Sequence, residues 1–165
     1  MFKTIVVGTD GSAHGQHAVA VAAELARSLN ARVVLVHAVE QVPLVLATAG
    51  GYVPFVPQSV IDENRAYARE QANGEFAAPL REAGVQYETR VAEGAPPIII
   101  GQVAEEVGAD LIVVGSRALH ALGEFFLGST SHALTHHTPV PVVVVPLGHS
   151  TPQPARTRDR VATGD

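Results

Sequence analysis

The most constraining feature of this chain is a rhythm. Short runs of β-branched apolar residues alternate with stretches long enough to be helices. Ile5 to Gly8, Arg32 to His37, Gln86 to Val91, Asp110 to Gly115 and Val142 to Val145 are the strand candidates. Several are apolar throughout instead of alternating, the pattern of strands covered on both faces. Five such strands joined by helix-length connections imply an α/β domain built on an open five-stranded parallel sheet with helices on both faces.

The intervening segments carry helix signals. Ser12 is placed to cap a first helix whose apolar stripe is Ala18, Val19, Ala22, Leu25, Ala26 and Leu29. Ser59-x-x-Asp62 resembles a capping box opening a second helix that runs to about Ala83, weakened later by Gly74 and Pro79 and stopped by Gly84. A third is expected from Pro96 to Val107, with proline where no amide donor is missed, and a fourth from Gly128-Ser129 to before Pro139. Gln41 to Pro57, with three prolines and two adjacent glycines, reads as irregular, either a loop folded back on the domain or a lid or contact surface. Residues 1–147 are read as one domain, and 148–165, rich in Pro, Thr and Arg, as a flexible tail.

Composition removes several function classes. The net charge is −5, and outside 150–165 only 8 basic residues face 14 acidic ones, the wrong sign for a nucleic-acid binder. With no cysteine, thiol catalysis, disulfide frameworks and Cys-based zinc sites are excluded, and a cytoplasmic location is expected. No apolar stretch approaches the ~18 residues of a membrane span, so no membrane partner is expected. Lys3 is the only lysine and stands at the start of the first strand. Walker A, kinase and Schiff-base chemistry all need a positioned amine, so those classes fall away.

In an open parallel sheet the usable crevice lies at the carboxyl ends of the strands where the winding reverses. Two strand ends carry suitable residues: Gly8-Thr9-Asp10-Gly11-Ser12, and Gly115-Ser116-Arg117-Ala118 with Gly128-Ser129-Thr130-Ser131 beyond it. Glycines admit close backbone approach, and hydroxyls with helix amides can hold phosphate oxygens. Asp10 reads equally as a turn or cap residue and as a ligand or metal group. Arg117 reads as a phosphate contact or a solvated loop residue. His37, at the end of the second strand, reads as a hydrogen-bonded histidine beside the crevice before a general base. His132 and His136 have metal-ligand spacing on the fourth helix, with His137 next to them, but no third ligand nearby, so exposed histidines are the leading reading.

At these residues the sequence resembles the universal stress proteins. Ile5-Val6-Val7-Gly8-Thr9-Asp10-Gly11-Ser12 looks like the family's opening strand and turn. Glu93-Gly94-Ala95-Pro96 and the run from Ala104-Glu105-Glu106 through Ala109-Asp110-Leu111-Ile112-Val113-Val114-Gly115-Ser116-Arg117 are similar to its central signature. Leu127-Gly128-Ser129-Thr130-Ser131 and Pro139 to Pro146 resemble its close.

The resemblance implies a Rossmann-like sheet of order 3-2-1-4-5, similar to the adenine nucleotide alpha hydrolases, and a homodimer through the last strand, Val142 to Val145. It also implies ATP as ligand, with Mg2+, held by a G-x2-G-x9-G-[S/T] loop. Carried onto this chain, that loop gives Gly115, Ser116, Arg117, Ala118, Gly128, Ser129 and Thr130. Thr9 and Asp10 fall beside the phosphates or metal, with Asp10 the metal residue, and Ala38 and Val39 fall beside the adenine. Ala118 stands where the family has its second loop glycine. If that position needs a left-handed backbone, the methyl group costs about 1–2 kcal/mol. The expected function is an ATP-binding stress-response module acting through its dimer or an unidentified protein partner, with at most slow hydrolysis. The alternative is a protein-interaction dimer of the same fold that binds no nucleotide.

Overall fold

A computed structural model of the chain describes residues 2–40, 44–48, 51–55, 57–116 and 128–147. Five strands form one parallel sheet: β1 (Thr4–Gly8), β2 (Arg32–Val39), β5 (Tyr87–Glu93), β6 (Leu111–Gly115) and β7 (Val142–Val145). Their spatial order is β5-β2-β1-β6-β7, the expected 3-2-1-4-5. The winding therefore runs one way from β1 through β2 to β5 and the other way through β6 to β7. The reversal falls between β1 and β6.

Alternate side chains of the central strands feed two cores, which is why these strands are apolar without a break. Ile5, Val7, Val33, Leu35 and Val113 pack with α1 (Ala13–Leu29), while Val6, Val34, Val36, Ile112 and Val114 pack with α4 (Pro96–Glu106) and Leu134 of α5 (Ser129–His137). All of these strand residues except Val114, at 2%, are 0% exposed, and burying each contributes about 1.5–3 kcal/mol. The buried face of α1 is Ala18, Val19, Ala22, Ala23 and Ala26, with Leu25 and Leu29 packed at its margin. Small side chains let this helix lie close to the sheet.

Three readings of the sequence need correction. Residues 44–48 and 51–55 are regular: β3 (Leu44–Thr48) and β4 (Gly51–Phe55) pair antiparallel, with Val45 opposite Pro54. In a two-stranded sheet each strand has a free edge, where a proline without an amide donor is tolerated. The second helix is not opened by a Ser59–Asp62 box. It follows Pro57 directly as α2 (Gln58–Gln71) with no side-chain cap, and Asp62 instead accepts from Gln58 Nε2 at 3.1 Å. It is also not continuous, because a π-helical turn at Ala72–Phe76 separates it from α3 (Ala78–Glu82). Gly74 within that turn and Pro79 in the first turn of α3 mark the break.

Asp110 lies just before β6 and not within it. Its Oδ2 accepts from the backbone amides of Lys3 at 2.7 Å and Thr4 at 3.0 Å, tying β1 to β6 at their amino ends. Those two amide donors hold the carboxyl below its usual range. No helix among the described residues is long and apolar enough to cross a membrane.

Candidate site at the switch point between β1 and β6

A crevice opens at the carboxyl ends of β1 and β6. It is lined by Thr9, Asp10 and Ser12 from the first turn, Ala38 from β2, and Gly115, Gly128, Ser129 and Thr130 from the second strand end and α5. Pro96 and Ile100 of α4, with Val36 and Val114, supply its apolar wall. The two turns, more than 100 residues apart in sequence, thus share one cavity.

The first turn is held by its own side chains. Thr9 is buried: its amide donates to Val36 O at 3.0 Å, its Oγ1 accepts from Gly11 N at 3.1 Å, and its carbonyl accepts from His37 Nδ1 at 2.9 Å. Because a carbonyl can only accept, Nδ1 carries the proton, and His37 serves as an anchor for the turn. Asp10 Oδ1 accepts from both the amide (3.0 Å) and the hydroxyl (2.6 Å) of Ser12, and Ser12 Oγ accepts in turn from Gly15 N at 3.2 Å, capping α1. The turn reading of Asp10 is therefore realised. Gly11 has φ +76°, and a β-carbon there would meet the Phe76 ring at 2.4 Å. The π-helical turn sets that ring under the turn, where it also meets His37 edge-on at 5.2 Å.

The second turn is different. The N-cap of α5 is Gly128, so no side chain caps the first-turn amides; Ser131 Oγ only donates back to Gly128 O at 2.9 Å. The residues of this first turn, Gly128 to Ser131, line the crevice. An uncapped helix start beside hydroxyls suits an anion. Among the described lining residues there is no lysine or arginine.

Other candidates are placed as follows. Gly115 lines the crevice, yet what presses on it is protein: an added β-carbon would stand 2.6 Å from His14 O. Ser116 donates its amide to Val145 O at 2.8 Å, extending the β6–β7 ladder. Val39 is not brought to the crevice. Its carbonyl accepts from Gly94 N at 3.1 Å, and its side chain lines a separate depression with Arg65, Arg69 and Glu93. An ion pair with Glu93 raises the pKa of Arg65 above its ordinary value. Arg117 and Ala118 lie outside the described residues, as do 148–165. Sequence reasoning missed His14, Gly15, Pro96 and Ile100 as lining residues and Phe76 as a support. Only Gly15 and Pro96, at helix starts near the strand ends, carried a signal that could have found them.

This fold and crevice define a doubly wound α/β domain with its opening at the topological switch point. The model of the universal stress protein family matches residues 1–146, and the chain belongs to that family. A relative from Thermus aquaticus, named "Universal stress protein in QAH/OAS sulfhydrylase 3'region", is 38% identical over 146 residues, covering 88% of this chain and 99% of its own. The solved universal stress protein of Archaeoglobus fulgidus superposes with TM-score 0.66 at 26% identity, covering 88% of this chain and 99% of its own. A universal stress protein solved in complex with cAMP superposes with TM-score 0.59 at 28% identity, covering 87% and 96%.

Proposed function

We propose that this chain is a stress-response module that binds an adenine nucleotide, ATP with Mg2+, in the crevice between β1 and β6. The observation that carries this reading is the uncapped start of α5 facing Asp10 across a cavity whose other wall is apolar. The apolar wall of Val36, Ala38, Pro96 and Ile100 suits a base, and the hydroxyls and amides of Ser129 and Thr130 suit phosphate oxygens. The cAMP complex of a relative supports the same ligand class.

The lining residues fit a divalent cation through their charge. Asp10 brings a carboxylate to the crevice beside the hydroxyls of Ser129 and Thr130, and a polyphosphate bound there would share a divalent cation with it. Mg2+ is commonly held by one carboxylate together with substrate phosphates. When bound, the ion would neutralise phosphate charge, and Asp10 would hold it while keeping the turn closed through Ser12.

Hydrolysis in this reading is slow. Lys3 stands at the amino end of β1, opposite the crevice, and His37 spends Nδ1 on Thr9 O. Neither residue is among those that line the crevice, so neither is placed to activate water there. The protein signals by occupancy, through a homodimer joined at β7 or through a protein partner. In the β6–β7 ladder, Pro141 O and Val145 O accept from β6 and its extension, so Val142 and Val144 turn their backbone groups to the outer edge of the described sheet. Such an edge takes a second strand readily.

Titration of the full chain with Mg-ATP, followed by thermal unfolding, tests the reading. A ligand at 100 times its Kd adds about 2.7 kcal/mol, which raises Tm visibly. Lack of any shift at millimolar Mg-ATP would favour the interaction dimer that binds no nucleotide.

A further inference from the structure

On the exposed face of α5, the imidazoles of His132 and His136 have ring centres 4.6 Å apart and planes inclined at 47°. Four residues of separation puts them one turn apart on the same face. Two imidazoles on one ion, with metal–nitrogen bonds of about 2.0–2.1 Å, place each ring centre about 3.2 Å from the ion. At the tetrahedral angle of about 109° the two centres are about 5.2 Å apart, and at the right angle of a square-planar or octahedral ion about 4.5 Å. The observed 4.6 Å lies between these values, close to the right-angle arrangement that Cu2+ and Ni2+ favour.

We propose that His132 and His136 form a two-histidine site for a borderline divalent transition ion, Cu2+, Zn2+ or Ni2+. Imidazole nitrogen suits these ions, whereas Mg2+ and Ca2+ require oxygen donors, so the pair is chemically distinct from the crevice that Ser129 to Ser131 line at the start of the same helix. The helix holds the second ring beside the first, and that ring therefore binds intramolecularly once the first has bound. His137 is one residue further, about 100° around the helix, and takes no part. Thr135 Oγ1 is spent on His132 O at 2.8 Å. No cluster of three protein ligands occurs among the described residues, so water completes the coordination and affinity follows the order Cu2+ above Zn2+.

The test is calorimetric titration of the full chain, without an affinity tag or nucleotide, with ZnCl2. The expected result is binding that weakens at least tenfold in His132→Gln and in His136→Gln and is unchanged in His137→Gln, with no competition from MgCl2. Equal affinity in the His132→Gln/His136→Gln double variant, an equal loss in His137→Gln, or no binding by the unaltered chain would overturn the proposal. A second measurement needs no variant: substoichiometric Cu2+ should broaden the ring NMR signals of His132 and His136 before those of the other histidines. Uniform broadening, or broadening that begins elsewhere, would overturn it equally.

Discussion

Gly115→Ala separates two reasons for a glycine at the end of β6. Its φ is not in the left-handed region, so the alanine backbone is unstrained and the effect is steric alone. The new β-carbon would stand 2.6 Å from His14 O, 2.8 Å from His14 C and 3.1 Å from His14 Cβ, where contacts below 3.4 Å are already tight. The first two atoms are helix backbone and cannot rotate aside. Relief therefore requires the start of α1 to withdraw by roughly 0.8 Å, carrying with it the turn that Ser12 and Asp10 tie to Gly15. Overpacking of this kind costs about 1–3 kcal/mol. For a chain of this length each kcal/mol lowers Tm by about 2–4 °C. Urea unfolding of the nucleotide-free variant should show a lower midpoint at unchanged m. An unchanged midpoint would refute the reasoning, because the glycine would then exist for a ligand and not for the helix.

Ser12→Ala removes the cap of α1 and the hydroxyl partner of Asp10, and should lower unfolding free energy by about 0.5–2 kcal/mol in denaturant titration. Phe76→Ala opens the space beneath Gly11 and beside His37; a loss of about 3–5 kcal/mol in stability is expected, and Phe76→Leu, which keeps more of the fold, should weaken Mg-ATP binding measured by calorimetry. Asp110 has a carboxyl held below its unfolded value of about 3.9, so its contribution is present above that pH and lost as pH falls through the lower folded value. Asp110→Asn should therefore flatten the acid side of the stability–pH curve, and equal slopes in both proteins would count against that linkage. Val144→Pro removes an outward-facing amide from β7 without touching its pairing to β6, and should shift the chain from dimer to monomer in light scattering after size-exclusion chromatography.

The sheet was legible because its strands are buried on both faces. Val6 and Val7 point to opposite cores, as do Ile112 and Val113, so no polar residue interrupts the run. The first turn was legible in part: Ser12 is the cap, and Asp10 and Thr9 reach the crevice, but the partners of Asp10 and Thr9 depend on folding. His37 meets Thr9 only because β1 and β2 are adjacent. Phe76 reaches Gly11 only because a π-helical turn rotates it there, and nothing in a 3.6-residue periodicity announces an added residue in one turn. The β3–β4 pair was hidden by Pro54, since a proline marks a break in a central strand but is permitted at an edge. Val39 was placed by chain position alone, and pairing with Glu93 carries it into a separate depression.

The central claim is tested most directly by native mass spectrometry of the gently purified full chain, before and after addition of millimolar Mg-ATP. The account expects the mass of the chain plus one adenine nucleotide per protomer, either carried through purification or acquired on addition. A spectrum showing only the bare chain under both conditions would contradict it.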